Sequence, residues 1–141
     1  WEMQAELRFR DFDYLGHMTA TSYLAFVEEA RVAWLSQATD GEPPAYVVAT
    51  QTLDFHREIL PADGPIRIMI DAQLISPRKV SVSEKIVGVD GHLHASSSAI
   101  LVGWDTAGRC SGPFTEAEKL LFCDVADGDR SVTEAGDDKG V

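Results

Sequence analysis

The 141-residue sequence has few cysteines, few basic residues and no long apolar run. Two cysteines, Cys110 and Cys123, are too few for a disulfide framework, so we expect apolar or free-thiol roles for them, with one bridge as the alternative. Twelve Lys and Arg against 23 Asp and Glu give a formal net charge of -11, which argues against a general affinity for nucleic acid or anionic membranes. No apolar run reaches transmembrane length and no signal peptide is visible, so we expect a soluble, cytoplasmic protein.

Length and composition predict one globular domain. The chain is long enough to bury a core, its hydrophobic fraction of 45% is ordinary, and it contains no internal repeat or linker. From Asp124 onward there are six acids, two bases and no aromatic residue. We therefore predict a single domain over 1–122 and an acidic, mobile tail over 123–141.

The hydrophobic pattern predicts a strand, a long helix and then further strands. Residues 4–12 alternate, with Leu7 and Phe9 on one face. Apolar residues at helical spacing follow, behind a cap at Thr19 or Thr21, and this helix must end before the turn residues of 40–44. Four later strands are predicted over 46–56, 66–74, 80–86 and 92–104. This order favours an α+β domain in which an antiparallel sheet of about five strands wraps around a central helix.

Two shorter signals add detail to this outline. Asp90-Gly91 predicts a hairpin between the last two of these strands. Residues 115–122 predict a short second helix, because Thr115 and Glu118 have the spacing of a capping box.

The most informative segment runs from Arg8 to Trp34. It places two acids, Asp11 and Asp13, and a glycine, Gly16, directly before the central helix. A carboxylate beside the electropositive N-terminus of a helix is well placed for chemistry on a carbonyl group. Spacing alone is more typical of a turn aspartate that accepts hydrogen bonds from nearby amides. Asp11 points away from Asp13 if the strand persists, which favours a solvated or structural role for Asp11.

Several sequence segments resemble the 4-hydroxybenzoyl-CoA thioesterase family. They are Asp11-Phe-Asp-Tyr-Leu-Gly-His17, Tyr23-Leu24, Glu28-Glu-Ala-Arg31, Leu53-Asp-Phe-His-Arg57 with Pro61, and Trp104-Asp-Thr-Ala-Gly-Arg109. The resemblance covers residues 5–109 and departs from the family pattern at Thr19-Ala20, where two asparagines are common. It implies the hotdog fold, hydrolysis of an acyl-CoA or acyl-carrier-protein thioester, and a homodimer that can pair into a tetramer. It implies no metal or redox cofactor.

The resemblance also implies roles for Asp13 and Ala20, and the residues around them suggest further candidates. Asp13 matches the family's catalytic aspartate, a nucleophile or a general base for water, and the Ala20 backbone N–H matches the donor that binds the thioester carbonyl. Gly16 allows a close backbone approach or a positive-φ turn. His17 either orients water or contacts Asp13 or the thioester, or is an ordinary turn histidine. The residues themselves suggest Thr19 and Tyr23 as substrate contacts, Tyr23 in an acyl pocket or simply in the core. Arg57, Arg78 and Lys79 are candidates for the coenzyme A phosphates, with an ordinary solvated loop charge as the alternative for each.

Other sites and functions are less well supported by the sequence. Glu28 and Glu29 are predicted to be solvated or paired with Arg31, although a related thioesterase branch uses a helical glutamate. His92 and His94 share a strand face without a third ligand, which argues against zinc. The alternative functions are a non-catalytic acyl-CoA binding module and an enoyl-thioester hydratase.

Overall fold

The computed structural model of the protein describes residues 1–123. The acidic tail predicted over 123–141 therefore lies outside the described residues, apart from Cys123. The strands are β1 (Glu2–Ala5), β2 (Tyr46–Phe55), β3 (Ile66–Ser76), β4 (Lys79–Val87), β5 (Leu93–Asp105) and β6 (Cys110–Ser111), and the helices are α1 (Ala20–Ser36) and α2 (116–123).

The strands form one antiparallel sheet in the order β1-β3-β4-β5-β2, with the short β6 paired to β5. β2 is thus an edge strand, although it follows α1 directly in the chain. β4 and β5 form the hairpin predicted from Asp90-Gly91, and Gly91 adopts a φ of +87°, a conformation that glycine tolerates well. The predicted α+β architecture is confirmed.

α1 packs on the sheet through one buried face. Its buried apolar residues are the five that the helical spacing predicted, together with Leu35: Tyr23, Phe26, Val27, Ala30, Trp34 and Leu35. They share the core with the alternate, inward residues of β3, Ile66, Ile68 and Ile70. Full burial of each large apolar side chain contributes about 1.5–3 kcal/mol, so this face fixes the position of the helix and of its N-terminus.

α2 and the segment before it complete the core at the far end of α1. Phe122 lies against Trp34, with ring centroids 5.4 Å apart, and Phe114 meets Phe122 edge-on at 4.9 Å. The predicted capping box is confirmed: the Thr115 hydroxyl accepts from the Glu118 N–H at 3.2 Å, and the Glu118 carboxylate accepts from the Thr115 N–H at 2.9 Å.

The predicted strand over 4–12 is wrong beyond Ala5. Its pairing partner β3 begins at Ile66, opposite Ala5. Pro65, which precedes Ile66, has no N–H to donate to a longer ladder. Residues 9–11 instead form a turn of 3-10 helix, and Phe9 is 99% exposed.

A buried ion pair joins α1 to β4. Arg31 donates to both oxygens of Glu84 at 2.8 and 2.9 Å, and both side chains are fully buried. Arg31 also donates to Gln51 of β2 at 2.7 Å. Of the two alternatives for Glu28 and Glu29, the solvated one is confirmed and the pairing with Arg31 is wrong, because Arg31 lies on the buried face of α1 whereas both glutamates are exposed.

Candidate active site

The loop between the first 3-10 turn and α1 is closed by Asp13 and His17. The Asp13 N–H donates to the His17 carbonyl at 2.9 Å, and the His17 N–H donates back to Asp13 Oδ1 at 3.2 Å. Oδ1 also accepts from the Leu15 N–H at 2.9 Å, and Gly16 turns the chain with a φ of +79°. The turn role considered for Asp13 is therefore real, and it occupies only one carboxylate oxygen. Within residues 1–123, Oδ2 has no hydrogen-bond partner, and the side chain is exposed.

Asp11 has the opposite environment, since it is only 2% exposed. Burial acts to raise the pKa of Asp11, but the hydrogen bonds that its carboxylate accepts from Arg8 and Ser22 outweigh burial and lower the pKa. The Asp11 carbonyl also accepts from the Thr19 N–H at 2.9 Å. Asp11 therefore anchors the start of α1, in agreement with a structural role.

The start of α1 has the predicted cap. The Thr19 hydroxyl accepts from the Ser22 N–H at 3.3 Å, so that hydroxyl belongs to the helix cap. Ala20 is the first helical residue and is exposed, and its N–H has no hydrogen-bond partner in the described chain. The helix therefore presents a free amide donor at its positive end.

A cavity of about 400 Å³ lies at this end of the helix. Its lining includes His17, Ala20, Tyr23, Phe55, Arg57 and Glu58. Tyr23 is nearly buried, and burial raises the pKa of its hydroxyl, so the group is protonated at neutral pH. The structure thus brings four predicted site residues together around one space: His17, Ala20, Tyr23 and Arg57.

Asp13 and Gly16 line a neighbouring cavity of about 390 Å³, together with Phe9, Phe12 and Pro61. The two cavities share no lining residue, and the loop over 13–17 contributes to the wall of both. Asp13 and Ala20 therefore do not face the same space within one chain, although they flank the same loop.

The three predicted coenzyme A bases are separated. Arg57 lies at the rim of the first cavity, just beyond β2, and is exposed. Lys79 is paired with Val102 of β5, whereas Phe55, two residues before Arg57, is paired with Ala95. The positions of Lys79 and Phe55 are therefore about 23 Å apart along β5. Arg78 precedes Lys79 and donates to the Ser111 carbonyl at 2.9 Å.

Sequence reasoning did not place Glu58 at this site, and it considered His94 only as a zinc ligand. Glu58 Oε2 lies 2.8 Å from His17 Nε2. His94 is buried in β5, and its Nδ1 lies 2.9 Å from the Glu58 carbonyl. No local pattern could reveal either contact, because the topology of the sheet alone brings these residues together.

No group of three or more His, Cys, Asp or Glu side chains in the described chain is arranged to hold a metal ion. Cys110 and Cys123 are both free and exposed. None of the helices within residues 1–123 is long and apolar enough to cross a membrane.

Comparison with known proteins gives a family and a fold. The model of the Thioesterase-like superfamily matches residues 7–128. A thioesterase from Thermus thermophilus, solved with coenzyme A and Zn, is 22% identical, with a TM-score of 0.75 over 89% of this chain and 93% of that one. A 1,4-dihydroxy-2-naphthoyl-CoA thioesterase from Synechocystis is 17% identical, with a TM-score of 0.75 over 88% and 96%.

A third solved structure, a Staphylococcus aureus protein in complex with CoA, is 10% identical, with a TM-score of 0.77 over 89% of this chain and 83% of that one. Among curated proteins, none matches this sequence.

A long helix packed on an antiparallel sheet is the hotdog fold that the family resemblance implied. The structural neighbours confirm this fold. The chain belongs to the Thioesterase-like superfamily, and it is a thioester hydrolase.

Proposed function

We propose that this protein hydrolyses acyl-CoA thioesters to a free carboxylic acid and coenzyme A, with Asp13 as the nucleophile or general base. The observation that carries the proposal is the Asp13 carboxylate itself. One oxygen is fixed by two backbone N–H groups, while the other has no hydrogen-bond partner in the described chain. A carboxylate held in this way keeps its orientation and can still accept a proton or attack a carbonyl carbon.

In the general-base form of the reaction, Asp13 takes a proton from water as the water oxygen bonds to the thioester carbon. The negative charge that develops on the carbonyl oxygen is stabilised by the Ala20 N–H. The carbon–sulfur bond then breaks, and the proton is returned to the thiolate, so that the products are an acid and a thiol. Because Asp13 and Ala20 line different cavities, we place the thioester at the rim between those cavities, beside the loop over 13–17.

The two ends of the substrate have separate candidate contacts. Tyr23 and Phe55 meet edge-on, with ring centroids 4.9 Å apart, and give the first cavity an aromatic wall for the acyl group. Arg57 at the rim supplies a cation for the phosphates of coenzyme A. Because the chain carries a formal net charge of -11, an acidic carrier protein would be repelled across a protein-sized interface, whereas coenzyme A needs only local cations such as Arg57. The proposed chemistry uses water and a carboxylate, with no metal or redox cofactor.

We further propose that the protein is a homodimer, which can pair into a tetramer. β2 is a ten-residue edge strand with mostly exposed side chains, including Val47, Val48 and Phe55. Long exposed edges of this kind are normally covered, and a second copy of the chain is the simplest cover. The neighbouring chain would close the first cavity, which Phe55 lines at the end of β2.

The test is thiol release from a panel of short-chain, long-chain and aromatic acyl-CoA thioesters. Asp13→Asn keeps the backbone hydrogen bonds but removes the charge, so we expect kcat to fall by about 10²–10⁴-fold. Asp40→Asn is the matched control, because Asp40 is an exposed turn aspartate beyond the other end of α1. Equal activity of wild type and Asp13→Asn on every substrate, including no activity in either, would contradict the proposal.

A further inference from the structure

Glu58 contributes a second carboxylate to the helix end of the molecule. It is outside the motif that carries the family resemblance, and it lines the same cavity as His17 and Ala20. Its Oε2 lies 2.8 Å from His17 Nε2, and both side chains are about half exposed. Ion pairs between mobile surface side chains contribute little to stability. Whether this contact is maintained therefore depends on how firmly the backbone is held at Glu58 and at His17.

The backbone that carries Glu58 is held by His94. The His94 imidazole lies between the carbonyls of Arg57 and Glu58, at 3.3 and 2.9 Å from Nδ1, and since both partners are acceptors Nδ1 carries the hydrogen. The His94 carbonyl in turn accepts from the N–H groups of His56 and Arg57. The segment that carries Glu58 is therefore attached to the buried part of β5.

The loop that carries His17 is attached to this same segment. The Met18 N–H donates to the Ile59 carbonyl at 3.1 Å, one residue beyond each member of the pair. His17 also exchanges two hydrogen bonds with Asp13, one through each backbone group. A chain of contacts therefore runs from His94 through Glu58 and His17 to Asp13.

We propose that Glu58 is a positioning residue that fixes the His17 imidazole for thioester hydrolysis. Glu58 accepts from Nε2–H, which leaves Nδ1 of the neutral imidazole as a lone-pair acceptor that orients water in the cavity containing the Ala20 amide. A carboxylate that sets the tautomer of a histidine is an established way to orient a proton acceptor. This role rests on the hydrolytic function proposed above and adds to it a residue on the far side of the loop from Asp13.

The experiment is a double-mutant cycle on Glu58 and His17, with kcat and KM measured on the best acyl-CoA substrate. We expect Glu58→Ala to lower kcat by about tenfold or more, with little change in KM, which is less than the roughly 10²–10⁴-fold effect of a group that itself transfers a proton. Glu58→Gln keeps an acceptor for Nε2–H and should retain most of kcat. In a His17→Ala background, Glu58→Ala should have no further effect, because Glu58 acts only through the imidazole.

A second readout is independent of turnover. Nitrogen NMR of the His17 ring should show the Nε2–H tautomer in the wild type and a mixture of tautomers in Glu58→Ala. Glu2→Ala is the matched control, since Glu2 is a half-exposed glutamate in an ion pair with Arg67, on β1 and outside the lining of the cavity. It should leave both kcat and the tautomer unchanged.

The two proposals fail in different ways. If Asp13→Asn is inactive while Glu58→Ala keeps wild-type kcat, or if Glu58→Ala has the same effect with and without His17, only the role of Glu58 is overturned. If the wild type hydrolyses no thioester in the panel, the proposed function is overturned, and the role of Glu58 in it is overturned as well.

Discussion

Asp11 and Asp13 are two residues apart in the sequence, but their side chains have different uses. The Asp11 carboxylate is buried against Arg8 and Ser22, and its backbone holds Thr19 at the start of α1. The Asp13 carboxylate is exposed, with one free oxygen. A buried hydrogen-bonded acid contributes to folding, whereas an exposed acid with a free oxygen is available to a substrate.

We therefore expect Asp11→Asn to destabilise the protein at pH 7 by about 1–3 kcal/mol, since it weakens charge-assisted hydrogen bonds in a buried place. The folded-state pKa of Asp11 lies below the unfolded value of 3.8, so its contribution to stability is present above that value and is lost as the pH falls towards the folded pKa. Urea unfolding at pH 7 and at pH 3 measures both effects. A stability difference between wild type and variant that is as large at pH 3 as at pH 7 would count against this assignment, and Asp13→Asn serves as the exposed control.

At the scale of the elements, the position of α1 on the sheet depends on an apolar face and on one ion pair. Arg31 and Glu84 are fully buried, and Gln51 extends the network from α1 and β4 to the edge strand β2. Burial raises the pKa of Glu84, and the adjacent guanidinium opposes that rise. The pair and Gln51 therefore connect α1, β4 and β2, and each buried charge needs its partner to offset the cost of desolvation.

Removing one charge of the Arg31–Glu84 pair should therefore destabilise the protein more than removing both. Arg31→Met leaves Glu84 buried without its partner and should cost about 3–5 kcal/mol in the free energy of unfolding. Replacing both residues, as in Arg31→Met with Glu84→Leu, should recover most of that loss, because the desolvation cost of both charges disappears. Guanidinium unfolding of the two single variants and the double variant measures the coupling. Additive losses would show that the two side chains do not act as a pair.

At the scale of the whole molecule, the distance between the three candidate coenzyme A contacts determines whether one chain or two could bind coenzyme A. Arg57 lies at the first cavity, while Arg78 and Lys79 lie about 23 Å away along the sheet. The assignment of Arg78 and Lys79 to coenzyme A phosphates stays a prediction. It requires a second copy of the chain to bring that turn to the cavity.

Arg57→Ala should raise KM for an acyl-CoA about three- to tenfold and leave KM unchanged for the corresponding N-acetylcysteamine thioester, which has no phosphates. Arg78→Ala with Lys79→Ala should do the same only if the protein sediments as a homo-oligomer. Kinetics on both thioesters, with sedimentation of each variant, measure this. A monomer in which the double variant raises KM would contradict the arrangement, as would an Arg57→Ala variant with unchanged KM for the acyl-CoA.

The features that the sequence predicted correctly depend on neighbours in the chain. The Thr19 cap, the Thr115–Glu118 capping box and the Asp90-Gly91 hairpin each need only a few adjacent residues. The end of β1 could not be predicted, because it depends on where β3 begins. The Arg31–Glu84 pair spans 53 residues, so only the assembled sheet shows which acid meets the arginine.

The same reasoning applies to the candidate site. The motif predicted the loop and the helix start, but the two cavities beside them, one lined by Asp13 and the other by Ala20, are a property of the folded loop. Glu58 meets His17 because β2 runs back towards the start of α1, and nothing near either residue in the sequence indicates it.

The packing of Phe122 on Trp34 shows that the hydrophobic core extends beyond the segments whose sequence resembles the family. A chain shortened to Arg109, where the last of the quoted motifs ends, would lose Phe122, which packs on the Trp34 indole, and Phe114, which packs on Phe122. Substitutions at Phe122 would therefore reduce the cellular abundance of the enzyme while each folded molecule kept its specific activity.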